Sequence, residues 1–186
     1  MEYSREKALE LLKSYIKNER MLNHCYASEA VMRSLARRLG KDEDKWALAG
    51  LLHDLDVEKV NADPKIHGLE TARILEGEGI DKDIVDAIRM HNEEATGLKR
   101  TNEFQHALAA GETITGLIVA TTLVYPEKKL SVVKPKSVRK KMKAKAFAAS
   151  VSRGKIMECE EIGISIDEFI GISLEAMRGI SDQLGL

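Results

Sequence analysis

The sequence predicts an all-α fold. Apolar residues recur at helical spacing along nearly the whole chain, most of these segments open on a capping residue, and Val132-Val133 is the only strand-like scrap. Residues 4–18 and 23–39 read as amphipathic helices, the second ending at Gly40. Residues 42–54 form a third, more apolar helix. Asp63-Pro64 reads as a cap followed by proline at the first helical position, opening a helix over 64–77. Asp81 opens a helix that runs to His91, and Thr101 or Asn102 opens a long apolar helix that Pro126 stops. Ser165 with Glu168 forms a capping box, followed by Ile166, Phe169, Ile170, Leu174, Met177 and Leu184 at helical spacing. No internal repeat or low-complexity segment interrupts this order.

A chain of 186 residues suits one domain spanning 1–186 and can bury a substantial core. Its formal net charge of −1 gives no global attraction to nucleic acid or acidic membranes. The amino-terminal stretch MEYSREKALELLKSY carries charge throughout and has no apolar signal core. Cys25 and Cys159 share no close spacing, so reduced cysteines in a cytoplasmic protein are expected.

Chemistry enters with the placing of four of the five histidines: His24, His53 followed at once by Asp54, His67 and His91. Imidazoles and carboxylates without thiolates are the donor set of a hydrolytic transition-metal site, not of a structural zinc clip. Trp46, Gly50 and His53 recur at i, i+4 and i+7, so His53 belongs to a buried stripe. Asp54 projects about 100° round the helix from His53, and the pair can bracket one ion. His24 lies on a stripe with Ala27, Val31 and Leu35, and His91 on one with Ile84, Ala87 and Ile88. His67 is expected in the first turn of its helix. His106 is six residues before Glu112 and is expected to play no part.

Glu112 is the only formal charge between Phe104 and Val124. Burying an unpaired carboxylate in so apolar a helix costs several kcal/mol, roughly, which a metal ion or an arginine partner removes. The longest uncharged run after it, Thr113 to Tyr125, is too short to span a bilayer.

The order His24, His53-Asp54, then Glu112 resembles the HD superfamily of metal-dependent phosphohydrolases, over residues 20–125. His67 and His91 resemble the additional ligands of its binuclear, HDIG-type branch. The resemblance implies an HD-type helical bundle with further helices over 130–186. It also implies one or two divalent ions (Mn, Fe, Co, Ni, Zn or Mg). His24, His53, Asp54 and Glu112 would hold one ion, and Asp54 would bridge to a second held by His67 and His91. It implies metal-activated water cleaving a small phosphorylated substrate, a nucleotide or dinucleotide, with His53 and Asp54 at the catalytic centre. Asp56, Glu58 and Glu93 are the nearby candidates for general acid.

Two departures stand out. The family normally ends its ligand set on aspartate, where this chain has Glu112. Many HDIG domains continue Asp-Ile-Gly-Lys, where this chain reads Asp54-Leu55-Asp56-Val57, so a phosphate contact must come from elsewhere, Lys59 being one candidate. The basic run Lys134 to Lys145 supplies others: Lys136, Arg139, Lys143 and Lys145 either lean over the metals or form a solvated face. No aromatic residue interleaves with this run, which argues against nucleic acid as a partner. Two rival classes share the scaffold: a di-iron oxygenase, and a non-catalytic module that binds a nucleotide or a partner protein.

Overall fold

The computed structural model describes residues 3–186. Among them the chain is all-α, with eleven helices: α1 (Arg5–Tyr15), α2 (Glu19–Leu39), α3 (Glu43–Leu52), α4 (Leu69–Gly77), α5 (Lys82–His91), α6 (Glu93–Thr96), α7 (Glu103–Leu123), α8 (Pro135–Lys143), α9 (Arg153–Met157), α10 (Ile166–Arg178) and α11 (Ser181–Leu184). Short 3₁₀ turns cover Leu130–Val132 and Glu158–Ile162, so the strand-like Val132-Val133 lies at a tight turn. None of these helices is long and apolar enough to cross a membrane.

The expected caps form. Asp42 accepts from the Lys45 amide, Asn102 from Gln105 and Ser165 from Glu168, each satisfying an amide that the first helical turn leaves without a partner. Several boundaries differ from expectation, among them the end of α3, which stops at Leu52 and leaves His53 and Asp54 in the turn beyond. Asn18 accepts from the Arg20 and Met21 amides, and Glu58 accepts from Lys17 and Asn18. This turns the chain early, so α1 stops at Tyr15, α2 starts at Glu19, and His24 sits in the second turn of α2.

The helix expected over 64–77 begins only at Leu69. Asp63 does accept from the Lys65 amide, but this makes a local turn. The real cap is Asp56, whose carboxylate accepts from the amides of Gly68 and Thr71. Gly68 has φ +91°, a conformation open to glycine, so no helix runs through it. His67 therefore lies in the loop before α4.

The core is one connected apolar cluster from Ala8 in α1 to Leu184 in α11. Helices α2 and α7 pack together through it, with α3 against α2 and α10 against both. Two glycines permit the closest approaches to α2. A Cβ at Gly50 would stand 2.5 Å from the Ser28 carbonyl oxygen, and one at Gly111 would stand 2.9 Å from the Met32 sulfur. Trp46 stacks on Phe104 with centroids 5.0 Å apart, fixing α3 beside the start of α7. Both glycines lie beside residues of the centre: Gly50 three residues before His53, Gly111 immediately before Glu112. Helices α8 to α11 follow as additional carboxy-terminal helices, with α8, α9 and α10 packed on α7 and α11 on α2. Cys25 and Cys159 are buried and unbridged.

Candidate metal centre

Five separate segments deliver six side chains to one place. His24 comes from α2, His53 and Asp54 from the turn that ends α3, His67 from the loop before α4, His91 from the last residue of α5, and Glu112 from the middle of α7. Their donor atoms form two groups, His24 with His53 and Glu112, and Asp54 with His67 and His91, each within 4.8 Å.

The Nδ1 atom of every histidine in the centre is engaged from outside. It meets Thr115 Oγ1 at 2.9 Å in His24, the Gly50 carbonyl at 2.9 Å in His53, Asp56 at 2.6 Å in His67 and the Ile88 carbonyl at 2.6 Å in His91. Carbonyl and carboxylate oxygens only accept, so in the last three Nδ1 carries the proton. Thr115 donates its own hydroxyl to the Glu112 carbonyl and therefore accepts from His24. In each neutral ring the lone pair is left on Nε2, facing inward.

Those inward atoms crowd one another. His24 Nε2 lies 3.1 Å from His53 Nε2, and His67 Nε2 lies 3.2 Å from His91 Nε2. Two facing lone pairs repel at that distance unless a proton or a cation lies between them. Asp54 occupies the middle: Oδ1 is 3.2 Å from His53, 3.1 Å from His67 and 3.6 Å from His91, while Oδ2 is 3.5 Å from His24. Donors about 2.0–2.2 Å from a common ion stand roughly 3–3.5 Å apart, so the spacing fits a divalent transition metal.

Burial sets the charges. It holds the imidazoles of His24 and His91 below their ordinary pKa, in the neutral form that ligates. Burial would also raise Asp54, but the histidines around it outweigh this and hold its carboxyl well below the usual range. The His53 imidazole is raised, Asp54 overcoming the effect of burial. His53 is fully enclosed, whereas the side chains of His24, His67 and Glu112 keep 23%, 15% and 13% of their exposure, leaving one edge open to solvent. Glu112 has no arginine or lysine partner among the described residues: it accepts from the Thr113 hydroxyl at 2.5 Å and stands 3.8 Å from His24.

The other sequence candidates lie elsewhere or are occupied. Lys59 pairs with Glu70, and Arg139 with Asp167. Helix α8 buries Val138 and Met142 while Lys136 and Lys143 on it, and Lys145 just beyond, stay exposed, with no hydrogen bond or ion pair to the six residues among the described residues. The three proposed general acids already have structural partners. Asp56 is fully buried between His67 and the start of α4, Glu58 caps the entry to α2, and Glu93 pairs with Arg100. His106 bonds Glu158, outside the centre.

Sequence reasoning offered Asp56 only as a general acid and missed the supporting roles of Asp56, Thr115 and Arg100. Thr115 was detectable, since it shares a helix face with Glu112 three residues earlier. Asp56 was not, because the chain leaves the helix at His53.

A family model described as HD domain matches residues 21–122, a span that contains all six residues of the centre. No solved structure matches the chain. With more than half its length covered by that match, the chain belongs to the HD domain family, of metal-dependent hydrolase type.

Proposed function

We propose that this chain is a cytoplasmic, binuclear HD phosphohydrolase of the HDIG type that cleaves a phosphoester or phosphoanhydride bond in a small phosphorylated substrate, a nucleotide or dinucleotide. The observation that carries the reading is the position of Asp54, one carboxylate within 3.6 Å of all four histidines and shared between the two donor groups. His24, His53, Asp54 and Glu112 would hold one ion, and Asp54, His67 and His91 a second.

Divalent ions held there supply Lewis acidity toward phosphoryl oxygens and toward water. The chain's own residues prepare that chemistry. Thr115, Gly50, Asp56 and Ile88 fix the four imidazoles with Nε2 inward before any ligand arrives, so no reorientation is needed on binding. Asp54 contributes negative charge midway between the groups, and His53 and His91 are buried. The open edge beside His24, His67 and Glu112 gives substrate its approach.

The test is a hydrolysis screen over nucleotides, dinucleotides and simple phosphoesters, with the protein reconstituted in turn with Mn, Co, Ni, Mg and Fe. Metal-dependent release of phosphate or nucleotide is expected, with a fall of at least about 100-fold in Asp54→Ala. Equal turnover in Asp54→Ala would contradict the assignment. Oxygen consumption without phosphoester hydrolysis would move the chain to the oxygenases.

A further inference from the structure

We propose that Lys155 binds substrate: its ammonium, placed at the His91 end of the metal centre, takes a non-bridging oxygen of the phosphoryl group brought there. This rests on the phosphohydrolase reading above and assigns the phosphate contact that the sequence sought in Lys59 or the basic run.

Position comes first. The chain entering α9 packs on α7 and reaches the end of α5. A Cβ at Gly116, one turn beyond Glu112 on α7, would stand 3.3 Å from the Val151 side chain. Four residues later, Lys155 Nζ donates to the His91 carbonyl at 3.0 Å. The same short segment thus touches α7 one turn past Glu112 and the backbone of His91.

Donor counting comes second. The other cation at this end, Arg100, has no proton to spare. Its Nε donates to Glu158, Nη1 to the Met90 and His91 carbonyls, and Nη2 to Glu93 and Glu158, which engages all five N–H groups. Lys155 uses one of its three. Among the described residues no carboxylate lies within ion-pair distance of it, and its side chain is half-buried. Its two remaining N–H groups meet no protein acceptor among the described residues, so they can donate to an oxyanion brought to the centre. The competing explanation is a purely structural one, in which Lys155 caps the carboxy-terminal end of α5 against the helix dipole.

The two explanations separate in Lys155→Gln, which keeps an N–H for the carbonyl and loses the charge, and Lys155→Arg, which keeps both. The probe is inorganic phosphate, titrated calorimetrically into metal-reconstituted protein, with metal content, melting temperature and kcat/KM on the screen's substrate measured alongside. Lys155→Gln should weaken phosphate binding and lower kcat/KM by about tenfold or more, at unchanged metal content and melting temperature, and Lys155→Arg should restore most of both. Unchanged phosphate affinity in Lys155→Gln, or a lost metal ion, would overturn the assignment and leave Lys155 a cap or a support of His91. If wild-type protein loads metal yet neither binds phosphate nor hydrolyses any phosphoester, the functional reading falls and the Lys155 assignment with it.

Discussion

At His67 two carboxylates hold one imidazole. Asp56 engages Nδ1 at 2.6 Å, and Asp54 stands 3.1 Å from Nε2. Burial would lower the pKa of this ring, but the hydrogen bonds and charges of the two aspartates prevail and raise it from 6.5 to about 10. Because the folded value is the higher one, the stability His67 gives the metal-free fold is complete below 6.5 and is lost as pH rises through about 10. An ion at Nε2 must displace that proton. Metal binding should therefore release protons, and affinity should increase as pH rises from 6.5 toward about 10. Calorimetry in buffers of different ionisation enthalpy counts the protons. Asp56→Asn should release fewer and show a shallower pH dependence, even though it also weakens the cap on α4. A pH-independent affinity with no proton release would show that Asp54 and Asp56 do not hold the proton in this way.

Among the elements, helix crossings govern how well the donors are aligned. The Gly50 carbonyl that fixes His53 belongs to the residue whose missing side chain lets α3 approach Ser28 of α2. A methyl group there would meet backbone, which cannot move aside. Gly50→Ala should cost about 2–3 kcal/mol or more of stability despite alanine's better helix propensity, and should weaken metal binding in the protein that still folds. Gly111→Ala meets the Met32 side chain, which can swing away, so its cost should be smaller. Gly171, in α10 with nothing within 4 Å of a Cβ, should tolerate alanine and gain up to about 1 kcal/mol. Urea denaturation of the three variants gives the order. Equal losses at Gly50 and Gly171 would remove the crossing argument.

The same elements show what could be read from the chain beforehand. The helix that leads into His53-Asp54 and the apolar helix around Glu112 were legible because periodicity and a lone buried charge are local signals. The loop from Asp54 to Gly68 was not, since its cap is a carboxylate twelve residues upstream of Gly68. Lys155 gave no signal at all: it reaches His91 across 64 residues of chain, and only the packing of α9 on α7 brings them together.

At the scale of the molecule, the centre draws on residues from 24 to 112 and is braced by the chain beyond. Arg100 joins the end of α5 to Glu158, His106 of α7 bonds the same carboxylate, and Arg38 of α2 reaches Glu168 of α10 at 2.5 Å. Donors so far apart in sequence converge only in the folded chain, so an ion bound by them stabilises the whole fold by mass action. The most direct measurement is the number of ions per folded chain after metal reconstitution, by elemental analysis of wild-type protein beside the His67→Ala/His91→Ala double variant. Two ions are expected in the wild type and one in the variant, retained by His24, His53, Asp54 and Glu112. The same number of ions in both proteins would contradict the two-metal assignment, leaving His67 and His91 outside any second metal site.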